Sequence, residues 1–483
     1  MISTHTFKFS LALLLIVFAS SCAATTRPDR PNILFIAVDD LKPLTGSYGD
    51  KLALTPSIDA LASSGTLYMR AYVQYPVCGP SRSSMLTGVR PETNGVLDLK
   101  TRLRDVMPEA ITLPEMFKLA GYETAAVGKI FDPRNVDSRQ VDDPASWSIP
   151  YKSVSGKVDK KSNPNFVSRA INARDTDFID GQINKRGIEL LRAMAAGNKP
   201  FFLGIGYKKP HLPFVVPKRF FDLYDASAFE LETFQRAPSE SDASYILSNN
   251  NELRTYWPQP ADGREPAAYD EEITEAQQRE IIHGYYAAVS FVDSLIGDLL
   301  AVLEESGAAD NTIIVLWGDH GFHLGDHGMW GKHTTMEEAA RHPLIIRAPG
   351  FAGGSSAALV ESLDIYPTLA ELAGVEPPAN LQGVSLVPTL ANEGTSSREV
   401  AITQYKRRGA YGYSMRTHQY RYTEWVTSDS VTVYRDLYDM TIDPGETKNI
   451  AADPANEQLV NSLAALLRKN GTGLNRLNMG KDK

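Results

Sequence analysis

The 483-residue chain is 43% hydrophobic, carries a formal net charge of -9 and has a sequence pI of about 5.6. That is ample apolar material for one large domain and a smaller one. The acidic balance argues against nucleic acid as a partner and against adhesion to anionic membranes, so attraction to an anionic substrate has to be local.

The N-terminus, MISTHTFKFSLALLLIVFASSCAATT, sets Lys8 ahead of an apolar run of about 11 residues, Phe9 to Ala19, followed by small residues. This is the pattern of a secretory signal, and the run is too short to span a bilayer. Residues 1–24 are therefore read as a signal, and the protein as exported to the periplasm, the cell surface or the medium. Cys22 follows Ala19, Ser20 and Ser21, an arrangement similar to the lipobox of bacterial lipoproteins except that Ala19 stands where the box usually has Leu. A lipid anchor on Cys22 and plain cleavage both stay open. In either case Cys78 is the one thiol of the mature chain. It has no partner for an internal disulfide and is either an inert buried residue or a reactive one.

The run PNILFIAVDD (31–40) is continuously apolar and ends in two carboxylates, as expected of a central parallel strand whose C-terminal end faces a site. YETAAVGKIF (122–131), KPFFLGIGYKKPH (199–211), NTIIVLWGDHG (311–321) and HPLIIRAPG (342–350) have the same character. Helical patterns separate them: LPEMFKLAG before the second run, and a long stretch from 273 to 307 before the fourth. In that stretch Ile282, Tyr285, Val289, Val292, Ile296, Leu299 and Leu303 keep a 3.6-residue period. The alternation predicts an α/β sandwich around a large, mostly parallel mixed sheet flanked by helices. Polar stretches at 132–176 and 225–272 read as loops that line a site or decorate the surface. Beyond about residue 390 come shorter strand-like segments, REVAITQY, YSMRTHQYRYTEWV and VYRDLYDM, and then an amphipathic helix, NEQLVNSLAALLRKNG. Residues 30–390 thus read as the main domain, and 391–483 as a small antiparallel sheet with a terminal helix.

Polar side chains gather at the predicted strand ends: Asp39 and Asp40 after the first, Lys129 after the second, Lys208, Lys209 and His211 after the third, Asp319 and His320 after the fourth. Ligand sites form at such ends, although any one of these residues alone reads equally well as a cap or a surface charge. Three carboxylates and an imidazole suit a divalent ion, and an oxygen-dominated set favours calcium or magnesium over zinc. His320, His323, His327, His333 and His342 put five of the nine histidines within 23 residues, which raises zinc as an alternative. Against it, the glycines of GDHGFHLGDHG argue for a loop and not a helix presenting ligands from one face, and no second cysteine is at hand.

The loop Cys78-Gly79-Pro80-Ser81-Arg82 has the form C-x-P-S-R and continues as SSMLTGVRP. With PNILFIAVDDL, AAVGKIF, GYKKPHLPF, GDHGFHLGDHGMWGKH and DLYDMTIDPGETKNI in order along nearly the whole mature chain, it resembles the formylglycine-dependent sulfatases of the alkaline-phosphatase superfamily. GYKKPHLPF and the Asp-Asp-Leu-Lys-Pro opening are most similar to the iduronate-2-sulfatase branch. The resemblance implies an alkaline-phosphatase-like sandwich and a sulfuric-ester hydrolase. It also implies that Cys78 is oxidised to formylglycine before folding is complete, by a formylglycine-generating or sulfatase-maturating enzyme that reads C-x-P-x-R in the extended chain. One hydroxyl of the aldehyde hydrate attacks sulfur; the other later loses its proton and expels sulfate.

By motif position, Asp39, Asp40, Asp319 and His320 would bind one calcium ion together with modified Cys78, and Arg82 would orient the formylglycine. Lys129 and Lys332 would contact the sulfate oxygens, and His211 would protonate the leaving alcohol. Many members have Asn at the position of His320; the iduronate branch has His. That branch also has a histidine three residues after the first lysine, where this chain has Asp132. A carboxylate there is able to accept the hydrate proton but not, while ionised, to donate one; the other reading is that Asp-Pro-Arg simply starts a turn.

The implied substrate is a sulfated polysaccharide or oligosaccharide, the iduronate likeness pointing to a 2-O-sulfate on a uronic acid or neighbouring sugar. Lys100, Arg102, Arg104, Lys208 and Lys209 are expected to form a basic rim that draws in a polyanion. Two other functions stay open. One is a phosphodiesterase or phosphonate monoester hydrolase, because the same superfamily and the same formylglycine serve phosphoryl transfer. The other is a sugar-binding lipoprotein without catalysis, for which the Asp132 departure is the argument.

Overall fold

The computed structural model describes residues 30–136, 142–158, 166–256 and 273–471, so the expected signal and Cys22 lie outside the described residues. Seven strands make the central sheet: β1 (Asn32–Val38), β2 (Thr66–Tyr72), β3 (Glu123–Gly128), β4 (Phe201–Tyr207), β5 (Thr312–Gly318), β6 (Arg341–Arg347) and β7 (Gly354–Glu361). Their order is β7-β2-β6-β5-β1-β4-β3. The five apolar runs of the sequence are β1, β3, β4, β5 and β6. β1, β4 and β5 are buried throughout, as a run without polar alternation requires.

The expected sandwich follows from the two-residue period of a strand. Ile33, Phe35 and Ala37 of β1 pack with Met85 and Leu86 of the helix Cys78–Thr87, Phe117 of the helix Leu113–Leu119 and Leu369 of the helix Ile365–Ala373. Leu34, Ile36 and Val38 face the opposite side, toward Ile183 of the helix Ile179–Ala195 and Val292 and Ile296 of the helix Glu275–Glu305. Thr274 and Gln277 form a capping box that starts this last helix, and all seven residues of its apolar period are buried. It is apolar and long enough to cross a membrane, but 72% of that stretch is buried in the protein, as befits a core helix.

The sheet is mostly parallel and mixed, as expected: β6 is antiparallel to both its neighbours, β5 and β2, whereas the other six strands run together. It departs from the sequence expectation in one way. β2 and β7 were not expected, because half-buried Met69 and Arg70 interrupt the one and Gly-Ser-Ser opens the other. Toward the C-terminus lies an antiparallel meander of β8 (Ala401–Arg407), β9 (Ala410–Arg416), β10 (Tyr420–Thr427) and β11 (Thr432–Asp439), with the helix Glu457–Asn470 packed against it. The single segment YSMRTHQYRYTEWV proves to be a hairpin, reversing where Thr417 N–H donates to the Tyr420 carbonyl at 2.8 Å.

Candidate active site

Successive side chains of a strand point to opposite faces, so adjacent aspartates at a strand end meet one site only if the backbone turns between them. It does: Asp40 takes the left-handed conformation, φ 62°. Its N–H donates to Asp319 Oδ1 at 3.0 Å and its carbonyl accepts from the Tyr285 hydroxyl at 2.7 Å, which hold the turn. Cys78 opens a helix in which every residue is buried, and its Sγ lies 3.4 Å from His320 Nε2 and 3.9 Å from Asp40 Oδ1. Gly79 permits a close approach: a Cβ there would come within 1.9 Å of Asn135 Oδ1. Burial and the Asp39 charge push the Cys78 thiol well above its usual range, so as a thiol it is a poor nucleophile.

Arg82, fully buried, ties the carboxylates together. Its Nε donates to Asp319 Oδ2 at 2.9 Å, its Nη2 to Asp39 Oδ1 at 3.2 Å, and its Nη1 to the carbonyl oxygens of Lys129 and Ile130. Burial pushes the Asp319 carboxyl upward and Arg82 and His320 offset this only in part. His320 Nδ1 faces its neighbour's carbonyl, Gly321 O, at 3.0 Å, and its Nε2 lies 3.4 and 3.7 Å from Asp40 and Asp319. Three buried carboxylates, an under-compensated charge and an imidazole nitrogen fit a hard divalent cation.

Two lysines and a histidine close the site. Lys129 Nζ contacts both oxygens of Asp39 at 2.9 and 2.7 Å, and Lys332 Nζ both oxygens of Asp40 at 2.6 and 2.8 Å. Burial opposes charge on Lys129, Lys332 and Asp39, but the pairing outweighs it: both ammonium groups are raised, and Asp39 is held well below the ordinary carboxylate range. Glu252 bridges the remaining cations, 2.9 Å from His211 Nε2 and 3.1 Å from Lys332 Nζ. His211 Nδ1 is 2.7 Å from the Leu212 carbonyl. Both ring nitrogens of His211 thus oppose acceptors, which suits an N–H on each. Its pKa is accordingly raised despite burial, Asp40 and Glu252 outweighing the desolvation and Lys332.

The sulfatase family model matches residues 31–375, and the model of the N-sulphoglucosamine sulphohydrolase C-terminal region matches residues 325–472. The chain belongs to the sulfatase family. Iduronate 2-sulfatase of Mus musculus is 32% identical over 539 aligned residues, covering 95% of this chain and 97% of that protein. A solved structure in complex with its substrate D-glucosamine-2-N,6-O-disulfate has a TM-score of 0.75 at 25% identity, over 92% of this chain and 98% of that one. The phosphonate monoester hydrolase of Agrobacterium radiobacter reaches 0.76 at 22% identity, over 92% and 96%, a likeness of fold alone. The protein is a sulfuric-ester hydrolase of the alkaline-phosphatase superfamily.

The sulfatase brings Asp39, Asp40, Cys78, Arg82, Lys129, His211, Asp319, His320 and Lys332 together as the sequence leads one to expect. A cleft of about 650 Å³ opens beside them, lined by Asp39, Lys129, Arg134, Tyr151, His211 and Tyr256 among others. The expected basic rim does not form as drawn. Arg104 is spent on Asp143 and Glu115, and Lys209 Nζ donates to the carbonyls of His211 and Pro213 at 2.6 and 2.8 Å. Lys100 and Arg102 are exposed and, like Arg104, do not line the cleft, whereas Lys208 does. Asp132 is saturated: Arg134 donates to both its oxygens at 2.8 and 2.7 Å, and Lys129 Nζ lies 3.5 Å away. Glu252 and Arg134 are the site residues that sequence reasoning passed over; both sit in polar stretches without periodicity.

Proposed function

We propose that the protein removes an O-sulfate from a sulfated carbohydrate, using the formylglycine made from Cys78 and one calcium ion. The observation that carries this reading is the convergence, on one buried cysteine at a helix start, of a carboxylate cluster, two lysines and a histidine paired with Glu252. Asp39, Asp40, Asp319 and His320 would hold the calcium, with residue 78 beside it. When present, the ion and the aldehyde hydrate supply an activated hydroxyl at sulfur and a second hydroxyl for sulfate release.

The chain's own residues do the rest. Arg82 fixes the carboxylates around residue 78, and the buried Lys129 and Lys332 neutralise charge on the sulfate oxygens. His211 delivers its Nε2 proton to the departing sugar oxygen. In this reading Asp132 steadies Lys129 and Arg134 and does not accept a proton: although burial raises its pKa, Lys129 and Arg134 hold it far below the ordinary range, which makes it a weak base. Relatives that act on sulfated sugars, among them the Iduronate 2-sulfatase and the enzyme that takes D-glucosamine-2-N,6-O-disulfate, support the substrate class. A signal at residues 1–24, with or without lipid on Cys22, would deliver the enzyme to where such glycans lie.

The test is paired. The residue-78 peptide of active protein is weighed by mass spectrometry, and sulfate release is measured against a panel of sulfated glycans beside matched phosphate and phosphonate esters. An unmodified thiol in fully active protein, or faster turnover of the phosphorus esters, would overturn the reading.

A further inference from the structure

Beside the reacting centre, Arg134 is built into the cleft wall in an unusual way. Its Nε and Nη2 donate to the two oxygens of Asp132, and its own backbone N–H donates to the same carboxylate at 3.0 Å. The turn that carries it is locked to the nucleophile loop. Asn135 N–H donates to the Asp132 carbonyl at 2.9 Å, Asn135 Nδ2 donates to the carbonyls of Asp98 and Thr101 at 2.9 and 2.6 Å, and Asn135 Oδ1 sits over Gly79. One edge of the guanidinium is therefore anchored. Nη1 has no hydrogen-bond acceptor among the described residues, and the side chain is 41% exposed. Lys208, which also lines the cleft, likewise has no acceptor for its Nζ among the described residues.

The anions of the cleft wall do not compete for these two cations. Asp39 is held by Lys129 and Arg82, Asp132 by Arg134's anchored edge, and Asp142 Oδ1 accepts from the Trp147 indole at 3.1 Å and the Asp143 N–H at 2.9 Å. A free arginine at a surface loses rotamer entropy when it binds; one already clamped by a carboxylate has little left to lose.

We propose that Arg134, assisted by Lys208, is a specificity site for a second oxyanion on the sulfated sugar, a carboxylate or a second sulfate, carried beside the ester that is cleaved. This rests on the sulfatase reading above and narrows it to sugars with two acidic groups. The planar Nη edge suits either oxyanion.

The experiment compares three methyl glycosides: a 2-O-sulfo-hexuronic acid, the matching 2-O-sulfo-hexose without the carboxylate, and the same hexose bearing a second O-sulfate. The selectivity of kcat/KM for each dianionic sugar over the hexose monosulfate is measured in the wild type, Arg134→Gln and Arg134→Lys. The Gln variant is expected to lose about ten- to a hundredfold of that selectivity, chiefly through KM, as for a charge-assisted hydrogen bond, and the Lys variant to retain part of it. The arm that falls identifies the oxyanion. Thermal melting shows that both variants are folded. Selectivity that is equal in wild type and Gln variant on both arms overturns the proposal. Turnover of 4-nitrophenyl sulfate by the wild type separately tests the sulfatase reading. If no sulfate ester is cleaved, calorimetric binding of the unsulfated hexuronate glycoside and of the hexose disulfate to wild type and Gln variant still decides the subsite: weaker binding of either by the variant supports it, equal binding of both refutes it.

Discussion

Glu252→Gln isolates the contact that favours the charged form of His211, the proposed leaving-group acid. In the free enzyme Glu252 Oε1 accepts from His211 Nε2 at 2.9 Å, while its other oxygen is 3.1 Å from Lys332. Glutamine keeps the shape and removes the charge. A hydrogen bond to a charged group contributes about 1.5–3 kcal/mol, and because Lys332 shares the carboxylate the lower end applies. One pKa unit corresponds to about 1.4 kcal/mol, so the substitution lowers the His211 pKa by about one unit. The sign follows from the chemistry: His211 must be protonated to act, its folded pKa is raised, and activity is lost as pH climbs through that value. Without Glu252 the loss comes earlier. The assay is the pH profile of kcat/KM, which reports ionisations of the free enzyme, where this contact exists. The alkaline limb is expected to move to lower pH by about one unit, with the acidic limb little changed. An alkaline limb that stays in place, or moves upward, refutes the assignment of His211 as an acid poised by Glu252.

Cys78→Ser should fold and melt like the wild type yet reduce turnover to background, because serine offers one hydroxyl where the hydrate offers two; sulfate release and circular dichroism check this. Asp39→Asn and Asp319→Asn should abolish stoichiometric calcium in elemental analysis, and chelation should lower the wild-type melting temperature, since a ligand at a hundred times its Kd stabilises by about 2.7 kcal/mol. Zinc bound in place of calcium would refute the metal assignment. Arg82→Ala strands Asp39 and Asp319 without their shared partner and should destabilise the protein by about 3–5 kcal/mol in denaturant titration. An unchanged midpoint would show that Arg82 is not the structural tie described.

The strand ends were legible because fully buried parallel strands leave a continuous apolar run in the sequence, and polar residues after such a run stand out. Direction was not legible. HPLIIRAPG is as apolar as its neighbours, and only the pairing of β6 with β5 and β2 shows that it runs the other way. Charge without partners misled in the same manner: Arg104 looks like a rim cation until Asp143 and Glu115 are seen around it. Glu252 was invisible for a different reason. It belongs to a six-residue helix, Asn251–Tyr256, too short to impose a period, and its partners His211 and Lys332 lie 41 and 80 residues away in the chain.

The small C-terminal sheet looks in the sequence like an appendage, yet β8 is part of what holds the site in register. Thr403 Oγ1 donates to the Val73 carbonyl at 2.7 Å, Gln404 N–H to the Gln74 carbonyl at 2.8 Å, and Lys406 N–H to the Tyr75 hydroxyl at 3.1 Å. The rings of Tyr75 and Tyr405 pack 5.3 Å apart. These contacts fix residues 73–75, the approach to Cys78. Arg407, at the end of the same strand, donates to the carbonyls of Tyr245 and Leu247, just ahead of the Glu252 helix, and to that of His333, next to Lys332. One edge strand therefore sets the nucleophile loop, the Glu252 helix and the Lys332 loop relative to one another. Helix packing alone would leave three such segments free to shift by the ångström that matters at a reacting centre.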